Sequence, residues 1–123
     1  MKQLTKAEEQ IMQILWKLKE GVVKDVVDGF NDSKPAYTTV ATVLKVLEKK
    51  GFASHRSVGN THLFHPAISK KEYARYQIST LVKDYFNGSF PRMATFFANE
   101  NNISIQELEE MLKSTEEEIK KEN

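Results

Sequence analysis

The clearest amphipathic pattern in the chain runs from Tyr37 to Lys50. Four aliphatic residues recur there at i, i+3, i+4 and i+7, the spacing of one apolar helix stripe: Val40, Val43, Leu44 and Leu47. The opposite face, at about 100° per residue, carries Thr38, Thr42, Lys45 and Lys49. Hydroxyl and ammonium groups can donate to phosphates and base edges, so this face suits a DNA major groove. The alternative is an ordinary amphipathic helix with a solvated polar face.

Two shorter helical patterns precede this helix, and a β-hairpin follows it. Thr5 and Glu8 have the spacing of a capping box, and the helix that they start is expected to end at Gly21. Apolar positions from Val23 to Phe30 indicate a second helix. After the third helix the pattern changes to two short strands around Gly59-Asn60. The order helix, helix, recognition helix and wing is that of a winged helix-turn-helix.

The first helix has a second apolar face. Ile11 and Leu15 share one side, whereas Met12 and Trp16 lie nearly opposite. Because Trp16 is too large an apolar group to leave exposed beside Met12, we expect their face to pack within the winged domain. The expected partners are the wing strands or the base of the helix that follows the wing.

The chain from residue 69 onwards has the pattern of three further helices. Capping boxes at Ser69 and Ser104 start the first and the last, and Asn87-Gly88 ends the first. Short isolated helices are marginal in water, so we expect these three to intertwine with a second copy. The alternative is that they fold back on the winged domain. The expected interface consists of Ile78, Leu81, Val82, Phe86, Phe90, Met93, Phe96, Phe97, Leu108 and Leu112.

The predicted fold is mainly α with a small β-hairpin. It comprises a winged helix-turn-helix DNA-binding domain over residues 1–68 and a three-helix dimerisation domain over residues 69–123. Residues 1–66 hold ten Lys/Arg and seven Asp/Glu, whereas residues 67–123 hold eight and ten. A mildly basic front half fits nucleic-acid contact. The expected DNA-binding residues are Thr38, Thr39, Thr42, Lys45 and Lys49 on the helix and Arg56 and Asn60 on the wing.

Several function classes are disfavoured by the sequence. The chain has no cysteine, which rules out a disulfide framework, a thiolate metal site and a Cys nucleophile. It shows no phosphate loop, nucleophile elbow or metalloprotease helix, so we expect neither an enzyme nor a bound cofactor. No apolar run is long enough to span a membrane and no signal-peptide core is visible, so a cytoplasmic protein without a membrane partner is expected.

The wing holds all three histidines of the chain, His55, His62 and His65. Strand alternation places His62 and His65 on opposite faces, and no carboxylate lies between His55 and Pro66. We therefore expect no metal site in the wing. His55 is instead expected to contact phosphate or the minor groove beside Arg56.

Five stretches of the chain match a known family: Ala7–Trp16, Tyr37–Val40, Leu47–Phe52, Phe86–Phe90 and Ile105–Glu110. On these residues the chain resembles the BlaI/MecI/CopY family of winged-helix transcriptional repressors along essentially its whole length. The spacing between the matching stretches also agrees with the family. The resemblance implies a penicillinase repressor-like homodimer that binds a palindromic double-stranded DNA operator and interlocks its C-terminal helices. It also raises a regulatory protease or sensor as a partner.

Two departures from the family pattern bear on how the protein is switched. Copper-responsive members carry a Cys-rich tail motif, and the lack of cysteine here excludes copper sensing through it. Members that control β-lactam resistance are inactivated by cleavage of an Asn-Phe bond in the tail. Counting on from Gly88, the equivalent pair is Phe96-Phe97. We therefore expect this chain to resist the protease that cuts those relatives.

One alternative to an operator-binding repressor stays open at this point. A winged helix-turn-helix can also serve as a protein–protein interaction module that uses its third helix and wing. Such a surface would favour exposed aromatic and aliphatic side chains. The hydroxyl and ammonium groups on the third helix favour a nucleic acid instead.

Overall fold

The computed structural model describes residues 1–122, which form six helices and one two-stranded antiparallel sheet. The predicted fold class, mainly helical with a hairpin after the third helix, is confirmed. The helices are α1 (Lys6–Leu18), α2 (Val23–Asp28), α3 (Tyr37–Lys49), α4 (Lys70–Phe86), α5 (Phe90–Glu100) and α6 (Ile105–Glu122), and the strands are β1 (Ala53–Val58) and β2 (Thr61–Pro66).

The chain divides into two compact units, which we name the winged unit (Met1–Gln77) and the tail unit (Ile78–Asn123). The sequence predicts a boundary after residue 68, before α4, whereas the boundary between these units along the chain falls after Gln77, within α4. Tyr73, in the first turn of α4, is only 3% exposed. Its hydroxyl oxygen accepts a 3.0 Å hydrogen bond from the Leu4 N–H. The first turns of α4 therefore pack as part of the winged unit.

The core of the winged unit lies between α1, α2, α3 and the hairpin. α1 begins with the predicted capping box, in which the Thr5 hydroxyl oxygen accepts from the Glu8 N–H and the Glu8 carboxylate accepts from the Thr5 N–H. Burial of a large apolar side chain contributes about 1.5–3 kcal/mol before entropy is counted. The largest fully buried side chains are Met12, Leu15, Val26, Val40, Leu44, Leu47 and Phe52.

The prediction that Gly21 ends α1 is wrong. The helix stops at Leu18, and Lys19, with φ 72°, caps it by donating its N–H to the carbonyl of Leu15. Gly21 instead forms a β-bridge with Phe64, through N–H to carbonyl hydrogen bonds of 2.9 and 2.8 Å in the two directions. A glycine after a helical pattern marks a break in the helix, but it does not show that the next residues pair with a distant strand.

The second apolar face of α1 packs as predicted. Met12 is fully buried. The Trp16 indole N–H donates to the carbonyl of Ile68 at 2.8 Å, and its ring lies 6.0 Å from that of Tyr73, between ring centroids. The contact with Tyr73 confirms the base of the helix after the wing as the packing partner.

The tail unit buries far less of its apolar surface. Val82 and Ala98 are its buried hydrophobic residues, and α6 has no buried residue between Ile105 and Glu122. A groove of about 1100 Å³ runs through the unit between its three helices. The side chains that line the groove include Leu81, Tyr85, Phe86, Phe90, Met93, Phe97, Leu108 and Leu112.

No helix between residues 1 and 122 combines the length and the apolar character that a membrane span requires.

Candidate nucleic-acid interface

The polar strip of α3 consists of Thr38, Thr42, Lys45 and Lys49. Burial of Val40, Leu44 and Leu47 on the opposite face turns this strip outwards, and all four of its residues are exposed. At about 100° per residue, their positions fall within an arc of roughly 60°. Thr39 is exposed as well, but it lies roughly 100° from Thr38 and therefore at the side of the strip.

Within the polar strip, the threonines and lysines offer different chemistry. The Thr42 hydroxyl donates to the carbonyl of Thr38 at 2.8 Å, so its proton is used inside the helix. Lys45 and Lys49 have no carboxylate within 4 Å among residues 1–122. Their ammonium groups can therefore bind an external anion such as a phosphate without first breaking an ion pair.

Lys50, the neighbour of Lys49, has a structural role instead. Its Nζ lies 2.7 and 2.8 Å from the two carboxylate oxygens of Glu8, a residue that is 6% exposed. Burial by itself would raise the pKa of the Glu8 carboxyl, but the hydrogen bonds from Lys50 and Thr5 outweigh burial and hold this pKa below its usual value. Two adjacent lysines in the sequence thus have opposite surroundings in the fold.

The wing tip is the turn of Gly59 and Asn60, with Val58 opposite Thr61 beside it. Gly59 has φ +61°, a left-handed conformation that glycine adopts without the steric cost of a Cβ atom. Asn60, which the sequence predicted as a DNA contact, is exposed at this tip.

Arg56, the other predicted contact of the wing, is bound within the chain. Its Nε and Nη2 donate to the two carboxylate oxygens of Glu20 at 2.8 and 2.9 Å. These hydrogen bonds lower the pKa of the Glu20 carboxyl and raise the pKa of the Arg56 guanidinium. Both groups are exposed and water screens the attraction between them. A phosphate can therefore compete with Glu20 for this arginine.

His55 lies on the other face of the hairpin from Arg56, because successive strand residues point to opposite sides. The expectation that the two act side by side is therefore wrong. His55 Nδ1 lies 2.6 Å from the carboxylate of Glu48, and its ring stacks on that of His62 with 4.1 Å between centroids. His55 thus links α3 to the wing. No cluster of three or more His, Cys, Asp or Glu suited to a metal ion occurs in residues 1–122.

The exposure of two apolar or aromatic side chains of α3 was not predicted from the sequence. Tyr37, in the first turn, is 59% exposed, and Val46 is 39% exposed. Val46 lies roughly 40° from Thr42 around the helix and therefore next to the polar strip. Its place outside the stripe that starts at Val40 was the signal that could have revealed it.

The predicted dimerisation residues differ in burial within the single chain. Val82 is buried at 7% exposure, so it has little surface left for a partner. Three are half-buried, and the other six are 44–62% exposed. Phe96 and Phe97 lie in the middle of α5, and the Phe96 ring packs 5.5 Å from that of Phe86, between centroids. The half-buried residues are Phe86, Met93 and Leu108, and the exposed ones are Ile78, Leu81, Phe90, Phe96, Phe97 and Leu112.

The chain is similar in sequence to known repressors. Residues 4–117 match the model of a family described as penicillinase repressor. A penicillinase repressor from Bacillus licheniformis is 24% identical over 116 residues, which cover 94% of this chain and 91% of that protein.

Two solved structures are similar to parts of the chain. One is the solution structure of the monomeric form of Bacillus licheniformis BlaI in complex with the blaP half-operator, with a TM-score of 0.50 and 27% identity over 58% of this chain and 89% of that one. The other is a structure of the CopR repressor, with a TM-score of 0.46 and 25% identity over 55% of this chain and 100% of that one.

Proposed function

The chain belongs to the penicillinase repressor family, and from this membership we propose that it is a transcriptional repressor that binds a palindromic DNA operator as a homodimer. The observation that carries the proposal is the polar strip of α3. The strip presents two ammonium groups that are free of carboxylates within residues 1–122. The similarity to BlaI, which was solved with a half-operator, supports a nucleic acid as the ligand of this strip.

In the proposed complex, α3 lies in the major groove and the wing lies beside it. Thr38, Thr39 and Thr42 face the groove, while Lys45 and Lys49 contact phosphates or base edges. Hydrogen bonds to base edges specify sequence, whereas phosphate contacts fix position and orientation. On the wing, Arg56 and Asn60 reach the backbone or the minor groove, and Arg56 exchanges Glu20 for a phosphate.

The homodimer is proposed on the strength of the groove in the tail unit. Exposed aromatic side chains such as Phe90 at 59% and Phe97 at 49% are costly to leave in water. A second copy of the same unit would cover them, and an interface of this apolar kind is typical of obligate dimers. A two-fold dimer also presents two copies of α3, which suits two half-sites of a palindrome.

A binding titration tests the proposal. The DNA immediately upstream of the protein's own gene is labelled, and its affinity is measured by fluorescence anisotropy at two salt concentrations. The Lys45→Ala, Lys49→Ala double variant should bind more weakly, and its salt slope should fall by about 1 for each lost phosphate contact. The matched control is Lys120→Ala, Lys121→Ala, which removes two adjacent lysines from α6 and should leave affinity nearly unchanged.

Two results would contradict the proposal. Unchanged operator affinity in the Lys45→Ala, Lys49→Ala variant would show that the polar strip does not contact DNA. Absence of salt-dependent DNA binding in the unmodified protein would favour the alternative, in which α3 and the wing bind another protein, and exposed Tyr37 and Val46 would then be the expected contacts.

We propose a regulatory protease or sensor as a further partner. We do not expect such a protease to cut this chain at the bond that is cut in the β-lactam relatives. Phe96 stands in place of the Asn, and the Phe96-Phe97 bond lies inside α5. Incubation with an activated sensor protease of the β-lactam type should leave this chain intact, whereas Phe96→Asn should restore cleavage. A clean cut between Phe96 and Phe97 in the unmodified chain would show that Asn is not required.

A further inference from the structure

One aliphatic side chain of α3 is explained neither by the core nor by the polar chemistry of the helix. Val46 is 39% exposed, whereas Val40, Leu44 and Leu47 are fully buried. A β-branched residue on an exposed helix face gains little burial and has lower helix propensity than alanine. Its position beside the polar strip therefore suits a ligand that presents an apolar group.

Thr42 adds to this apolar character. Its hydroxyl proton is used in the 2.8 Å hydrogen bond to the carbonyl of Thr38, so its methyl group and oxygen lone pairs are what it can offer a ligand. Thr42 and Val46 are four residues apart, which makes them neighbours on the helix surface. Together they form an apolar spot, which we name the Thr42–Val46 spot, beside the ammonium groups of Lys45 and Lys49.

The major groove contains one apolar feature at base edges, the C5-methyl group of thymine. The other groups at these edges are hydrogen-bond donors and acceptors. A cytosine in the same place carries a hydrogen at C5 instead of the methyl group, so the contact with aliphatic carbon is lost. An aliphatic spot on a helix in this groove thus discriminates thymine from cytosine.

We propose that Val46, together with Thr42, reads one thymine in each half-site by contact with its C5-methyl group. Val46 is then a specificity-determining residue, and it lies beside Lys45 and Lys49, which contact phosphates or base edges. This inference rests on the proposed function, because it requires α3 to lie in the major groove. It names the base that this part of the helix recognises.

The test removes the methyl group from the DNA and the side chain from the protein independently. Each thymine of the operator is replaced in turn by deoxyuridine, which lacks only the C5-methyl group, symmetrically in both half-sites. One such replacement should lower the affinity of the unmodified dimer about four-fold per half-site, the effect of losing one buried methyl contact. Val46→Ala should bind the thymine and deoxyuridine operators with affinities within two-fold of each other.

The matched control is Val58→Ala, which shortens another valine of the winged unit that is 49% exposed but lies on the wing. It should keep the full response to deoxyuridine. Val46 is exposed and alanine favours helix, so the variant should keep its fold, which far-UV circular dichroism verifies.

The outcomes separate this inference from the proposed function. The thymine contact would be overturned if no deoxyuridine replacement weakened operator binding, or if Val46→Ala kept the full response to deoxyuridine. Either result would leave the repressor proposal standing. Failure of the unmodified protein to prefer its operator over unrelated DNA would overturn both.

Discussion

The winged unit and the tail unit are built from similar amphipathic helices, but they differ in how well they cover their apolar faces. In α3, Leu44 and Leu47 are fully buried, whereas in the tail unit Leu112 is 62% and Phe97 is 49% exposed. The winged unit surrounds its stripes with three helices and a hairpin. An apolar stripe in the sequence therefore predicts that the stripe is packed against something, but not whether the packing partner belongs to the same chain.

The largest difference in stability is expected when a leucine is replaced by alanine in each of the two units. Leu44→Ala should lower the free energy of unfolding by about 2–5 kcal/mol, because it leaves a cavity in a packed core. The loss should be the same at all protein concentrations. Leu112→Ala should instead act through dimerisation, so urea unfolding at two concentrations about a hundred-fold apart should show a concentration-dependent effect. An equal loss at both concentrations for Leu112→Ala would mean that Leu112 is covered within its own chain.

A charge introduced into the groove of the tail unit should affect dimerisation but not the stability of the winged unit. Phe97→Glu should weaken the proposed dimer by at least about 2 kcal/mol, or roughly thirty-fold, because a central aromatic contact is replaced by a desolvated charge. Sedimentation measures this loss, and the unfolding transition of the winged unit should persist. The control is Thr95→Glu, an exposed position of α5 that does not line the groove. A dimer that survives Phe97→Glu unchanged would place the interface elsewhere.

A smaller effect is expected from the buried ion pair of the winged unit. Glu8→Gln should lower the free energy of unfolding by about 1–3 kcal/mol at neutral pH, because it weakens charge-assisted hydrogen bonds with Lys50. The folded state lowers the pKa of Glu8, so this stabilisation is fully present above the ordinary pKa of 4.5. It is lost as pH falls through the lower pKa of the folded state.

Urea unfolding of the unmodified protein and Glu8→Gln over pH 7 to 3 checks this prediction. The two curves should differ most at neutral pH and converge at the acidic end. Glu9→Gln, which removes the same charge one position away, is the control and should have little effect. A difference that grows as pH falls would contradict the sign of the Glu8 pKa shift.

The smallest effect is expected from the exposed pair on the wing. Glu20→Gln should not change the unfolding midpoint measurably, because water screens an exposed ion pair. It should raise DNA affinity at low salt by up to about five-fold, the worth of one charge pair at 4 Å in water. The gain should vanish at high salt, and Arg56→Ala should lower affinity instead. Weaker DNA binding in Glu20→Gln would mean that Glu20 positions Arg56 for the phosphate.

The order of the helices and strands, and most of their ends, can be predicted from the amino-acid sequence. The capping boxes that start α4 and α6 appear in the structure as Ser69 with Glu72 and Ser104 with Glu107. The hairpin turn at Gly59 and the exposed polar strip of α3 were also predictable. These features depend on residues within about one helical turn or one tight turn of each other. Residues that are close together in the sequence are therefore enough to predict them.

Which charged side chains are available to bind a ligand depends on the tertiary structure. Lys50 and Arg56 looked as available as Lys49 in the sequence, yet Lys50 pairs with Glu8, 42 positions away, and Arg56 with Glu20, 36 positions away. Tyr73 joins α4 to the winged unit through Leu4, 69 positions away. Spacing along the chain cannot reveal such partners, because they meet only after the helices and the hairpin have packed.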